Sequence, residues 1–245
     1  MNNNPFPENL LARIQQTGVV AVLTIDDATD AVPLARALLA GGVDCIELTL
    51  RTPAAMAALQ RIKSEIPQML AGAGTVLTTA QVAEVAAAGA AFGVAPGMNL
   101  RVVRAAQQAG LPFAPGVLTP SDIEQALEQD CRVLKFFPAE PAGGLSYLKC
   151  MAAPYAHLNL RFIPLGSLDA RNAERYLADP LIAAVGGSWI APRELVRQRQ
   201  WERIAENAHH AAETVCRVRK GILGRDTSRS TSSSGPCSTS AGSTT

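Results

Sequence analysis

A chain of 245 residues, 48% of them hydrophobic, is long enough to bury one large core, a size at which an α/β barrel folds as a single unit. With 22 Lys and Arg against 21 Asp and Glu, the formal charge is +1 and no basic block occurs, which excludes the footprint of a nucleic-acid binder and leaves room for a small local anion site. The opening MNNNPFPENLLARIQQ lacks the charged start and apolar run of a secretory signal, and no run of about 18 apolar residues is present, so the sequence reads as cytoplasmic, without a membrane partner.

In chain order, an N-terminal helical segment precedes short apolar runs at 19–23, 45–49, 69–74, 92–95, 113–114, 132–136, 161–164 and 182–186, which makes eight candidate strands. They are nearly continuous in Val, Ile, Leu, Ala and Phe, the pattern of parallel strands covered on both faces. Helix-like stretches separate them, leaving an open doubly wound sheet or a closed (β/α)8 TIM barrel; the count of eight favours the barrel.

Helix boundaries carry their own signals. Thr52-Pro53 and Thr119-Pro120 read as an N-cap followed by the first helical residue, and Thr78 with Gln81 and Thr119 with Asp122 have capping-box spacing. Gly41, Gly89 and Gly110 follow Ala-rich helices where a left-handed C-cap is wanted. Pro33, inside the 29–40 helical pattern, either moves the helix start to about Asp30 or kinks its first turn. From about Arg225 the chain becomes RDTSRSTSSSGPCSTSAGSTT, which reads as a disordered Ser/Thr-rich tail. A barrel domain over 1–222 and a tail over 223–245 is the expected organisation.

The odd set Cys45, Cys131, Cys150, Cys216 and Cys237 has no CxxC pair and reads as reduced thiols, while His157, His209 and His210 lack any zinc-binding spacing. Neither a metal nor a cofactor is expected. Alternation in Cys45-Ile46-Glu47-Leu48-Thr49 puts Cys45, Glu47 and Thr49 on one face, with Arg51 at the strand's C-terminal end, where barrels carry their chemistry. Glu47 there suits an acid/base and Arg51 a carboxylate clamp; an internal ion pair of Glu47 with Lys135 or Arg51 fits the same pattern. Gly72-Ala73-Gly74-Thr75 exposes backbone amides next to a hydroxyl able to meet a carboxylate, and Pro96-Gly97 and Pro115-Gly116 read as tight turns at the mouth.

Of only four lysines, Lys135 alone lies inside an apolar strand, Arg132-Val133-Leu134-Lys135-Phe136-Phe137-Pro138. Burial there strips hydration from the ammonium and favours the neutral amine, a nucleophile for a carbonyl; a buried Lys paired with a carboxylate is the competing reading. Gly186-Gly187-Ser188 follows the last strand, where barrels often offer amides to a phosphate.

In order, VVAVL, GGVDCIELTLRTP, GAGTVL, APG, PGVLTPSD, LKFFPAE and GGSW resemble the 2-keto-3-deoxy-6-phosphogluconate (KDPG) and 4-hydroxy-2-oxoglutarate aldolases over about residues 14–212. The resemblance implies a metal-free, usually trimeric class I aldolase with a (β/α)8 fold. It implies Lys135 as the Schiff-base lysine, Glu47 as a proton carrier acting through water, and Arg51 and Thr75 as holders of the pyruvate carboxylate. Pro96 and Phe137 would line the cleft, and Gly166, Ser167, Gly187 and Ser188 would form the phosphate site. The family's usual Pro-Thr-Gly-Gly is here Pro164-Leu165-Gly166-Ser167. That change removes a hydroxyl near the breaking bond and adds a side chain where phosphate would meet amides. Two other readings stand beside this one: an aldolase of the same mechanism for another or unphosphorylated 2-keto-3-deoxy acid, and a non-catalytic barrel that binds a sugar phosphate or serves as a structural oligomer.

Overall fold

In a computed structural model, the structure describes residues 6–230. Nine short strands, β1 (Val19–Leu23), β2 (Cys45–Thr49), β3 (Leu70–Gly74), β4 (Gly93–Val94), β5 (Phe113–Ala114), β6 (Gly116–Val117), β7 (Val133–Phe136), β8 (Arg161–Pro164) and β9 (Val185–Gly187), alternate with helices. The helices are α1 (Glu8–Thr17), α2 (Ala31–Ala40), α3 (Ala55–Glu65), α4 (Thr79–Ala87), α5 (Leu100–Gln108), α6 (Pro120–Leu127), α7 (Gly144–Ala152), α8 (Ala173–Leu177), α9 (Arg193–Arg197) and α10 (Trp201–Ser230). Every strand pairing is parallel, in a six-stranded order β5-β4-β3-β2-β1-β9 and a three-stranded order β6-β7-β8. The architecture is an α/β fold around a curled parallel sheet.

The sequence suggested a turn at Pro115-Gly116, and the structure corrects this. Gly116 and Val117 pair with Lys135 and Phe136 on β7, so the strand resumes after Pro115. Pro115 has no N–H for the ladder, which splits the strand into β5 and β6, yet its carbonyl accepts from the Lys135 N–H at 2.9 Å. At the far side, Phe162 on β8 bridges Ile182 just ahead of β9, receiving from Ala183 N–H at 2.9 Å and donating to Leu181 at 2.8 Å.

Alternation along the strands builds two apolar clusters. Val20, Cys45, Leu70, Phe92, Val94, Ala114, Val133 and Ile163 meet on the inner face, and Phe6 with Ile14 of α1 closes the end where the strands begin. Residues of opposite parity, such as Ala21, Ile46, Ala71, Leu134 and Phe162, pack outward against the helices. On β3 the inner glycine Gly72 is required by packing: a Cβ there would lie 2.3 Å from the Phe92 ring.

Both capping boxes form at Thr78/Gln81 and Thr119/Asp122, and Gly89 and Gly110 take left-handed φ of 72° and 65°. Gly41 does not: it ends α2 at φ −83°, and the left-handed residue is Gly42 at 87°. Gly41 is small because α10 passes over it, Ala205 O lying 2.4 Å from where a Cβ would sit. Thr52 does not cap α3 either; its hydroxyl donates to Ile25 O at 2.5 Å, and α3 begins after Ala54. Pro33 falls in the first turn of α2, where a missing N–H costs nothing, after a 3-10 turn over Ala28–Asp30. Helix α10 continues to Ser230, past the boundary at 222, and residues 231–245 lie outside the described part.

Candidate active site

Two strands each carry one buried charge. Lys135 on β7 and Glu47 on β2 are 5% and 2% exposed, and the Lys135 Nζ donates to Glu47 Oε1 at 3.0 Å. Strand β2 lies within the six-stranded order and β7 within the three-stranded one, so the two are not neighbours in any ladder. A 3.0 Å contact between them therefore crosses the interior, which only a strongly curled sheet permits. Of the two ion pairs open from the sequence, Glu47 makes the one with Lys135.

Small residues make room for this pair. The Glu47 carboxylate occupies the space above Gly74, where a Cβ would fall 1.9 Å from Oε1. The glycines of β3 thus accommodate Phe92 and Glu47, a role the sequence reading had not given them. The ammonium lies 5.6 Å from the centre of the Phe137 ring, a residue 37% exposed at the mouth. Desolvating two charges usually cancels most of what their attraction gains, so fold stability alone is a poor reason for such a pair. Cys45, one inward position below Glu47, is no competing nucleophile: burial, reinforced by Asp44, pushes its thiol far above the ordinary thiol range. All four described cysteines are free.

Arg51 projects at the end of β2 and is held by two buried hydroxyls. Its Nη2 donates to Thr24 Oγ1 at 2.6 Å and its Nε to Thr49 Oγ1 at 3.2 Å. Thr24 and Thr49 lie 3.1 Å apart, and Thr49 donates to Leu23 O at 2.8 Å. The hydroxyls fix the guanidinium plane without neutralising it, and among the described residues Arg51 has no carboxylate partner. Other arginines following these strands are committed: Arg193 and Arg197 to Asp26, Arg175 to Glu140, and Arg171 to Asp169. Those two arginines hold the Asp26 carboxyl well below the usual carboxylate range.

Thr75 follows β3 with φ 60°, a left-handed value that a β-branched residue adopts only under strain, and such strain gathers at functional sites. Ser167, after β8, has φ 58°, and Gly166 before it 106°. The serine therefore keeps a backbone form natural to glycine, with its side chain exposed. Leu165 is buried over Gly186, where a Cβ would lie 2.7 Å away, and Gly187 faces Leu168 O and the Trp189 ring. These contacts bring the loops after β8 and β9 together, with Ser188 exposed beside them. Pro96, after β4, is half-buried, its carbonyl carbon 2.3 Å from where a Gly116 Cβ would sit.

The mouth thus holds a buried amine beside a carboxylate, one unneutralised guanidinium, and two adjoining glycine-containing loops. That set can add an amine to a carbonyl, move a proton next to it, and hold anions at two places. Sequence reasoning had missed Thr24, which sits beside Thr49 only through the β1–β2 register, Leu23 opposite Leu48. Among the described residues, no cluster of His, Cys, Asp and Glu is fit to hold a metal ion, and no helix is long and apolar enough to cross a membrane.

Comparison with known proteins gives concordant results. The family model described as "Aldolase: KDPG and KHG aldolase" matches residues 10–207. The 2-dehydro-3-deoxy-phosphogluconate aldolase of Treponema pallidum is 40% identical over 82% of this chain and 95% of its own. The KHG/KDPG aldolase of Escherichia coli K12 is 38% identical over 80% and 91%. Among solved structures, a Legionella pneumophila KDPG aldolase with pyruvate captured at low pH as a covalent carbinolamine superposes with TM-score 0.78. It is 39% identical, covering 82% of this chain and 97% of that one.

Proposed function

The chain belongs to the KDPG and KHG aldolase family, and from that premise we propose that Lys135 is its Schiff-base amine, acting on 2-keto-3-deoxy-6-phosphogluconate to give pyruvate and glyceraldehyde 3-phosphate. As a family member it is a lyase, a class I aldolase. The observation that carries the residue assignment is the buried 3.0 Å contact of Lys135 Nζ with Glu47: an amine and a proton acceptor on two parallel strands, paired in the interior. 4-Hydroxy-2-oxoglutarate, giving pyruvate and glyoxylate, is the second substrate of this reading.

Glu47 takes a proton from the ammonium, and the free amine adds to the C2 carbonyl to form a carbinolamine. Glu47 gives that proton to the departing hydroxyl, loss of water leaves a protonated imine, and the imine draws the electrons of the C3–C4 bond as the C4 hydroxyl passes its proton through water to Glu47. The aldehyde departs, Glu47, through water, returns a proton to C3 of the enamine, and water releases pyruvate from Lys135. Arg51 and Thr75 bind the carboxylate, Pro96 and Phe137 line the cleft, and Gly166, Ser167, Gly187 and Ser188 receive the phosphate. No cofactor or metal enters these steps.

Pyruvate with borohydride tests this directly. Digestion and mass spectrometry should find the reduced adduct on the peptide containing Lys135, and an adduct on Lys63, Lys149 or Lys220 instead would sink the assignment. For Arg51→Ala, losing a charge-assisted clamp should raise KM about 10- to 100-fold with a smaller change in kcat. Steady-state kinetics checks this, and an unchanged KM would remove Arg51 from the carboxylate site.

The same reading takes the fold as a closed (β/α)8 barrel, supported by treating β5 and β6 as one strand interrupted at Pro115 and the Phe162–Ile182 bridge as the seam. It also takes a homotrimer in the cytoplasm as the working form, which family resemblance supports. A second substrate reading rests on Leu165, whose buried side chain puts apolar surface over Gly186. An unphosphorylated 2-keto-3-deoxy acid turned over as well as the phosphorylated one would favour that version.

A further inference from the structure

Beyond the mouth, the structure contains a second polar cluster that the chemistry above does not use. Glu140, four residues past the end of β7, accepts from the Tyr176 hydroxyl through Oε1 and from Arg175 Nη2 through Oε2 at 2.5 Å. Tyr176 is fully buried and Arg175 lies over its ring at 5.5 Å. Burial, with the Glu140 carboxylate beside it, raises the Tyr176 phenol above its ordinary range, so it stays a proton donor. Gly144, at φ 67°, lets the chain pass close by; a Cβ there would lie 3.1 Å from Glu140 Oε1 and 3.3 Å from the Tyr176 hydroxyl.

The backbone around this carboxylate holds the loop after β8. Ala139 N–H donates to Leu165 O at 2.7 Å and Glu140 N–H to Gly166 O at 3.2 Å. The other end of that loop is tied to α8, which supplies Arg175 and Tyr176: the Asn172 amide donates to Ser167 O at 3.0 Å and Asp169 N–H to Asn172 Oδ1 at 2.9 Å. Glu140 therefore touches both approaches to Gly166 and Ser167, through its main-chain N–H on one side and, on the other, through its carboxylate on Tyr176 and Arg175 of α8. A loop with left-handed residues at 166 and 167 needs such bracing, because its strained backbone otherwise relaxes.

We propose that Glu140, with Tyr176 and Arg175, is a positioning residue for the anion-binding loop: it holds Gly166 and Ser167 where a substrate phosphate meets them and takes no part in the bond-breaking steps. The inference rests on the phosphate-site assignment made above. It separates binding of the phosphate end from chemistry at Lys135.

The test uses Tyr176→Phe, which deletes one hydroxyl and keeps the ring, and Glu140→Gln, which keeps shape but not charge. Each is assayed with 2-keto-3-deoxy-6-phosphogluconate, with its unphosphorylated counterpart, and for pyruvate-borohydride labelling. The expected result is a KM for the phosphorylated substrate raised about tenfold, with kcat, the unphosphorylated reaction and the labelling rate within about twofold. Equal losses on both substrates would mean a general structural role, and no change in either variant would mean the loop holds itself; each overturns the proposal. A wild-type enzyme without preference for the phosphorylated substrate overturns the phosphate assignment, and this inference with it. A wild-type preference that both variants retain overturns the inference alone.

Discussion

Replacing Lys135 by Arg will abolish turnover while leaving the charge of the buried pair in place. A guanidinium facing Glu47 preserves the ionic contact that now measures 3.0 Å, but it stays protonated in proteins and cannot become the amine that adds to a keto group. If the pair served only the fold, Lys135→Arg would be the mildest change at this position and activity would survive. As the Schiff-base residue, Lys135 leaves no substitute nucleophile nearby, since the Cys45 thiol is held protonated by burial. We expect kcat to fall on the order of 10⁵-fold and borohydride labelling to vanish, with the far-UV spectrum unchanged. Lys135→Met serves as a check on the larger Arg side chain: it should lose the same activity while stranding Glu47 in the interior, at a stability cost of about 3–5 kcal/mol. Retention of even one-hundredth of wild-type turnover in Lys135→Arg would remove this lysine from the mechanism.

What the sequence made legible follows from which signals are local. Strands β1, β2 and β8 occupy the spans expected from their apolar runs, and both capping boxes form because each needs only residues three apart. Glu47 and Lys135 were legible as a charge on one strand and an amine on another, each against an apolar background. The sequence allows two pairings for Glu47, since which charges meet depends on the curl of the sheet and on strands far apart in sequence. Thr52, Gly41 and Pro115 were misread for a related reason. Each has a local signature of a cap or turn, and each is redirected by a distant partner: Ile25 O for Thr52, the backbone of α10 for Gly41, and β7 for the residues around Pro115. Thr24 gives no local sign of holding Arg51. The Glu140–Tyr176 contact joins residues 36 apart, with neither lying in a strand.

The second large effect is expected from Gly74→Ala, a single methyl on a strand that itself bears no reactive group. Gly74 is buried with a backbone conformation open to alanine, since its φ is outside the left-handed set. The new Cβ would fall 1.9 Å from Glu47 Oε1 and 2.5 Å from its Cδ, distances no packed structure accepts. Something must move, and the end of the glutamate side chain moves more cheaply than a β3 backbone hydrogen-bonded on both edges. Displacing the carboxylate by about an ångström misaligns the proton transfers at Lys135, and misplacement on that scale costs on the order of 10²-fold in kcat. The control is two residues earlier, where Gly72→Ala drives a methyl into the Phe92 ring at 2.3 Å. That change overpacks the inner core and should cost about 1–3 kcal/mol of stability, read by denaturant unfolding. Its effect on kcat should be far smaller. If Gly74→Ala acts through Glu47, adding Glu47→Gln to it will cost much less than the same change costs wild type, because both remove one function. Fully multiplicative losses would show instead that the methyl disturbs the mouth by another route, and that Glu47 tolerates displacement.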